Sequence, residues 1–223
     1  MLTPLRKVLK KFHPEGIPFP GSLLYNAISS MDIFQRHYDL VAQDALNYCS
    51  KGDVLDIGTG PGWILIKLYN LSSELNITGL DISPSMVEKA KENIKNAGLS
   101  ECINVRLGGA DNLPFEDDKF DVIISTGSIH HWKETTKGLN EVYRTLKVGG
   151  YALIYDLVSD TPGYVIEKAS REFGKLKMLL LWLHAFEEPF YSYKNFHLVA
   201  EPTCFNDAHT RFVGVMFCLI LKK

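Results

Sequence analysis

Three carboxylates, each standing where an apolar run gives way to small residues, carry most of the chemistry legible in the 223-residue sequence. Asp56 lies in the stretch Val54–Trp63, VLDIGTGPGW, immediately ahead of the alternate glycines Gly58, Gly60 and Gly62. Such glycines let a backbone turn sharply beside a bound molecule, and turn amides left bare can hold a carboxylate. A carboxylate next to that turn attracts an ammonium group, so the pair suits the amino-acid end of a ligand. Asp81 ends the apolar run from Ile77 and can accept hydrogen bonds from both hydroxyls of a ribose. Asp111 follows Gly109 and Ala110; its carboxylate suits the exocyclic amino group of adenine, and Ala110 leaves room for the ring. The competing readings are a backbone cap for Asp56, a helix cap for Asp81 and a surface loop position for Asp111. Taken together, the three describe a ligand with an amino-acid end, a ribose and an adenine.

Two familiar nucleotide loops are disfavoured. The dinucleotide fingerprint requires glycine where Trp63 stands, and no lysine followed by serine or threonine closes the turn as a triphosphate loop does. An NAD-dependent oxidoreductase is the alternative enzyme class, and a non-catalytic binding or regulatory module is the alternative without turnover.

Candidates for the reacting end follow the run Phe120–Ser125. His130 and His131 come after Thr126, Gly127 and Ser128, and either can take a proton near neutral pH, as acceptor contact or base. Trp132 is a candidate substrate or adenine wall, with a structural indole as the alternative. Tyr25 and Tyr38 are candidate acceptor-side residues, with lid packing as theirs. His184, Glu187, Glu188 and His197 form no ligand spacing from which a metal site can be assigned, and no metal is expected.

These residues need a scaffold. Residues 1–50 read as an N-terminal arm and helical cover: prolines 4, 14, 18 and 20 break the first part, and a helical pattern from Ser22 to Ser50 is interrupted at Ser29 and Ser30. Residues 51–223 read as the core. Strand runs are expected at the first turn, at Ile77–Asp81, Ile103–Leu107, Phe120–Ser125 and Tyr151–Asp156. Helices alternate with them; one runs from Glu134 to Leu146 and stops at Gly149 and Gly150. That order is the grammar of an open parallel sheet. A long helix from Gly163 to Phe186 follows, bearing the apolar cluster Leu179–Leu183, and Phe196–Ala200 with Phe212–Leu221 should form an antiparallel hairpin at the sheet edge.

Composition narrows the classes. The chain is 46% hydrophobic and 22% charged with a net charge of −2, so it is an ordinary globular chain with no strong pull on nucleic acid. Cys49, Cys102, Cys204 and Cys218 form no CxxC pair and read as free thiols of a reducing compartment. With no leader pattern and no apolar run long enough for a transmembrane segment, the expected location is cytoplasmic.

The constellation resembles the class I S-adenosylmethionine-dependent methyltransferases, in particular the small-molecule subgroup of quinone and sterol enzymes. The matching stretches are VLDIGTGPG, ITGLDIS, GGADNLPFEDDKFDVIIS and YRTLKVGGYALIYD, in order from Gly52 to Asp156. The resemblance implies a Rossmann-like three-layer α/β sandwich on a mostly parallel seven-stranded sheet with the last strand antiparallel. It further implies that S-adenosyl-L-methionine is the methyl donor and S-adenosyl-L-homocysteine the product. By the same resemblance Asp56, Gly58, Thr59, Gly60 and Gly62 surround the methionine part, Asp81 the ribose, and Ile82, Ala110 and Asp111 the adenine. Ser125 and Thr126 would lie near the sulfonium. The implied reaction is in-line methyl transfer to a small-molecule acceptor, achieved mainly by positioning. STGSIHHW after the fourth strand departs from the proline-rich pattern of enzymes that methylate amino groups of bases and glutamine.

Overall fold

The computed structural model describes residues 26, 29–174, 178 and 190–223. Tyr25, the proline-rich arm, the apolar cluster Leu179–Leu183, His184, Glu187 and Glu188 lie outside the described residues.

In chain order the elements are α1 (Asp32–Ala45), β1 (Gly52–Ile57), α2 (Trp63–Leu71), β2 (Leu75–Asp81), α3 (Pro84–Asn96), β3 (Ile103–Leu107), β4 (Phe120–Thr126), α4 (Thr135–Thr145), β5 (Leu146–Asp156), α5 (Gly163–Phe173), β6 (Ala208–Val213) and β7 (Met216–Lys222). Short 3-10 turns occupy Ile129–His131 and Tyr193–Val199. The strands form one seven-stranded sheet in the order β3-β2-β1-β4-β5-β7-β6. Pairing is parallel from β3 through β5, and β7 runs antiparallel to both neighbours. This is the mostly parallel sheet with an antiparallel last strand that the sequence led us to expect.

Alternation along the strands divides the core between two faces. Val54, Ile124 and Leu153 pack with Val41 of α1, Leu65 of α2 and Ala90 of α3, whereas Leu55, Ile123 and Ile154 pack with Leu139 of α4 and Phe196. Both faces are therefore covered, as a parallel sheet requires. Between them, the order of strands reverses at β1 and β4, which opens a crevice at their carboxyl ends.

Three expectations need correction. The helix of α4 stops at Thr145, not at the glycine pair, and Leu146 already pairs with Phe120 in the sheet. The helix thus ends within a residue of its expected run, and the glycine pair lies inside β5; Lys147 Nζ lies 3.1 Å from Asp53 and 2.7 Å from Asp121 at the sheet end, and the register shifts before Tyr151 pairs with Val122. Second, Phe196 sits in a 3-10 turn rather than a strand. It is fully buried, stacked on Tyr191 at 5.4 Å, while Asp160 accepts hydrogen bonds from Ser192 and the Tyr193 amide at the start of the turn. The hairpin is instead cut from the single run Phe212–Leu221 and the residues before it, turning at Gly214 and Val215, and β7 inserts between β5 and β6. Third, α5 ends at Phe173, with Gly174 after it at φ 86°; apart from Met178, the rest of the expected helix to Phe186 lies outside the described residues.

Helix α1 is bolted to the sheet by charge. Asp44 accepts hydrogen bonds from Arg211 at 2.6 and 2.7 Å and from the buried Tyr155 hydroxyl at 2.7 Å. All four cysteines carry free thiols. Among the described residues no helix is long and apolar enough to cross a membrane.

Candidate active site

The glycine turn takes its shape from what presses against it. Gly58 has φ 74°, and a side chain there would run into Ser128. Gly62, with φ 79°, precedes α2; a Cβ at this position would stand 3.1 Å from that of Ala90 on α3. Both positions lie in the left-handed region that suits glycine, and both allow a neighbouring segment to close in.

The turn amides are not bare. Gly58 and Thr59 donate to the Leu80 carbonyl at 2.8 and 3.0 Å, Gly60 donates to Asp81 Oδ2 at 2.8 Å, and Gly62 donates to Thr59 O at 3.0 Å. The expectation that they receive a carboxylate is thus corrected: they stitch the turn to the end of β2. The first-turn amides of α2, which no helix carbonyl can reach, supply anion-binding capacity at Trp63 and Ile64 instead, and both residues line the cleft.

Asp56 faces that cleft beside Tyr38, Thr59 and Thr126. It is 1% exposed, and among the described residues neither carboxyl oxygen has a hydrogen-bond partner. Burial raises its pKa from the ordinary 3.8 to about 7; the nearby Thr59 hydroxyl opposes the shift without making a hydrogen bond within 3.5 Å, and Asp81 adds to it. The buried hydroxyls of Thr59, Ser125 and Thr126 lack partners as well. Orphaned buried oxygens are costly, and those of Asp56, Thr59 and Thr126, which line one cleft, mark a site that a cationic, hydrogen-bonding ligand completes.

Asp81 is 7% exposed and already employed: besides Gly60, its Oδ1 accepts the Ser83 amide at 2.9 Å. Burial raises its pKa, with the amides of Ser83, Gly60 and Ile82 opposing. The cap reading and the ribose reading therefore coexist, because each oxygen retains a further lone pair. Serine 83 itself makes no side-chain cap to α3.

On the far side of Asp81, the isoleucine at 82 is 41% exposed. A Cβ at Gly109 would meet Asp111 Oδ1 at 2.9 Å and Ile82 Cδ1 at 3.4 Å, so Ile82, Gly109 and Asp111 share one small patch next to Ala110. Asp111 is about half exposed, with Lys137 Nζ 3.6 Å away. Arg144 of α4 fixes the loop just beyond, donating to the carbonyls of Leu113 and Phe115 and to Asp117 and Glu141.

The segment after β4 runs from the cleft to the neighbouring strand. Thr126 lines the cleft, Ser128 packs over Gly58, and His130 meets Asp156 at the end of β5, with Nδ1 to Oδ2 at 2.8 Å. His130 is 4% exposed, and its ring lies 3.9 Å from that of His131. Trp132 is not among the described residues that line the cleft. Its indole is 7% exposed, packs against Gly138 and donates to Ser128 Oγ at 2.9 Å, so the structural alternative describes its place.

Sequence reasoning passed over Asp156, Ser128 and Trp63. Asp156 carried a signal, since it ends an apolar strand as Asp81 does. The Trp63 indole donates to Ser29 at 3.2 Å, and Asn93 bonds both Asn26 and the Pro61 carbonyl, which ties the segment before α1 to the glycine turn. Nothing local to the sequence announces those long-range bonds. Among the described residues no three His, Cys, Asp or Glu side chains converge as a metal set.

Comparison with known proteins agrees with this geometry. Residues 49–195 match the family described as a methyltransferase domain. A ubiquinone/menaquinone biosynthesis C-methyltransferase of Geotalea daltonii is 32% identical over 155 residues, 69% of this chain and 65% of that protein. A 2-methyl-6-phytyl-1,4-hydroquinone methyltransferase of rice is 36% identical over 108 residues, 48% of this chain and 32% of that one. The chain thus spans less than two thirds of the length of either relative. In structure it is similar to a Methanococcus maripaludis protein described as an S-adenosyl-L-methionine-dependent methyltransferase, with TM-score 0.73, 25% identity and 95% of each chain covered. The chain belongs to the methyltransferase-domain family, has the class I fold of the S-adenosylmethionine-dependent members it resembles, and is similar in sequence to quinone methyltransferases.

Proposed function

We propose that this chain methylates a small, electron-rich aromatic acceptor of the hydroquinone type, working in the cytoplasm. The observation that carries the donor side is the set of buried oxygens on Asp56, Thr59 and Thr126 that line the cleft at the glycine turn and have no partner among the described residues. The acceptor class rests on the similarity to two methyltransferases whose names concern quinones or hydroquinones.

When bound, S-adenosylmethionine supplies an electrophilic methyl group on a sulfonium. The chain's own residues do the rest by holding and excluding. Asp56 takes the ammonium end, and the first-turn amides of α2 take the carboxylate. Asp81 receives the ribose hydroxyls, while Ile82 and Ala110 flank the adenine and Asp111 accepts from its amino group. Ser125 and Thr126 border the reacting end, and Tyr38 walls the cleft toward the acceptor. Residues 1–50 act as the arm and cover over a core of residues 51–223, with α1 as the described part of the cover.

The test measures S-adenosylhomocysteine formed from S-adenosylmethionine with three acceptors: reduced 1,4-naphthohydroquinone, a primary amine such as histamine, and a fatty acid. Product formed with the hydroquinone alone supports the reading. Turnover confined to the amine or the acid overturns it.

A further inference from the structure

We propose that Asn93 is a positioning residue for the methyl donor. Through it the docking of Asn26 and Ser29, ahead of α1, sets the affinity of the cleft, and an occupied cleft holds those two residues in place. The inference rests on the reading of the cleft as the donor site and deepens it.

Asn93 lies on α3 and is buried, and its Nδ2 donates to the Pro61 carbonyl at 2.9 Å and to Asn26 Oδ1 at 3.0 Å. Chemistry fixes the orientation of this amide. A carbonyl only accepts, so the atom facing Pro61 is the nitrogen, and its second hydrogen requires an acceptor, which Asn26 supplies. A second chain of bonds runs alongside. The Trp63 indole, a donor only, donates to Ser29 Oγ at 3.2 Å, and the fully buried Ser29 hydroxyl donates in turn to the Asn26 carbonyl at 3.1 Å. Gln35 of α1 donates to the Ser29 carbonyl at 3.0 Å, which ties the pair forward to the helix.

Placement gives this network its use. Pro61 and Trp63 both line the cleft, and Trp63 opens α2, whose first-turn amides are the anion-binding end of the site. Gly62 between them is pressed by Ala90, which stands three residues before Asn93 on the same face of α3. The wall at residues 61–63 is thus held from behind at every position, and the holds on Pro61 and Trp63 both lead to the residues ahead of α1. Undocking those residues strands the Trp63 indole and one of the two Asn93 donors, a cost that buried polar groups shed by moving, and the wall moves with them. Coupling of this kind is reciprocal: the factor that docking adds to donor affinity is the factor that the donor adds to docking.

Calorimetric titration of the full chain with S-adenosylhomocysteine tests the first half. The Kd should rise roughly tenfold in Asn93→Asp, which removes both donors, and in Asn26→Ala, which removes the acceptor. Asn26→Asp, which keeps an acceptor, should stay close to the unaltered value. Added to Asn93→Asp, Asn26→Ala should cost little more, because both cut the same link. Hydrogen exchange read by NMR tests the second half. Saturating S-adenosylhomocysteine should slow exchange of the Ser30 amide, which donates to the Asn26 carbonyl at 3.1 Å, in the unaltered protein and not in Asn93→Asp. An asparagine that only supports the fold would lower the melting temperature and move neither readout. An unchanged Kd in Asn26→Ala, which decides the matter even if Asn93→Asp fails to fold, overturns the proposal and leaves the donor cleft standing. So does a Ser30 amide indifferent to the ligand. Absence of saturable binding in the unaltered protein overturns the donor-site reading, and the coupling with it.

Discussion

At pH 7 the ligand-free protein should carry Asp56 about half protonated, and binding of an ammonium-bearing ligand should expel that proton. The carboxyl is fully buried without a hydrogen bond and its pKa stands at about 7 instead of 3.8. That difference is a penalty on the charged form of roughly 4 kcal/mol. An ammonium placed in the cleft reverses the balance, because the charged carboxylate then gains a partner. Binding of S-adenosylhomocysteine should therefore release about 0.9 proton at pH 6, about half a proton at pH 7 and about 0.1 at pH 8. Its affinity should fall by a factor approaching tenfold for each unit below pH 7. Calorimetric titration in phosphate and in Tris, whose heats of ionisation differ, reads the release directly from the difference in apparent enthalpy. Equal enthalpies in both buffers at pH 6, or an affinity flat from pH 6 to 8, would refute the reasoning. The same group sets a stability trend. Its folded pKa is raised, so the stability it contributes is full below pH 3.8 and is lost as pH rises through about 7. Asp56→Asn should make the ligand-free fold more stable than the unaltered protein at pH 8, and should bind S-adenosylhomocysteine far more weakly with no proton release.

Asp81→Ala should lower S-adenosylhomocysteine affinity and also destabilise the fold by about 2–4 kcal/mol, since it strands the Gly60 and Ser83 amides; denaturant melts with the unaltered stability would contradict the second part. Asp81→Asn, which can still accept one of the two amides, should cost less in stability than in affinity. Gly58→Ala should destabilise by at least about 1–2 kcal/mol from the left-handed backbone alone. The pairing of Gly58→Ala with Ser128→Gly, which removes the clashing side chain, should recover part of the remainder; a double variant no better than the single would show that Ser128 is not what confines this glycine.

The fold was legible because its signals are local and repeated. Apolar runs alternate with amphipathic helices, and each of the first four strands ends at an acidic residue or directly before a glycine, so β1 to β4 were located to within a residue or two. The region after β5 was not, for reasons that lie in long-range contacts. Phe196 has the composition of a strand residue, but its burial against Tyr191 and Phe217 is satisfied in a 3-10 turn. Likewise Gly149 and Gly150 look like a helix stop, while the helix ends at Thr145 and the pair lies within β5, where Lys147 reaches Asp53 and Asp121, far away in the chain. At the site, Asp56 stood out by its position before the turn, and the structure adds that its neighbours are unpartnered. The destination of the turn amides was hidden, because whether an amide faces a ligand or a carbonyl of β2 depends on the packing of two strands. His130 was visible as a residue type; its partner Asp156 was visible only by analogy with Asp81.

The most direct test of the account is transfer of labelled methyl from S-adenosylmethionine to 1,4-naphthohydroquinone, kept reduced and free of oxygen, with the label located by mass spectrometry. The account predicts a ring-methylated product formed in equal amount to S-adenosylhomocysteine, and loss of both in Asp56→Asn. A protein that binds S-adenosylhomocysteine saturably but leaves every trace of label on the donor, or sends it to a nitrogen acceptor instead, would contradict it.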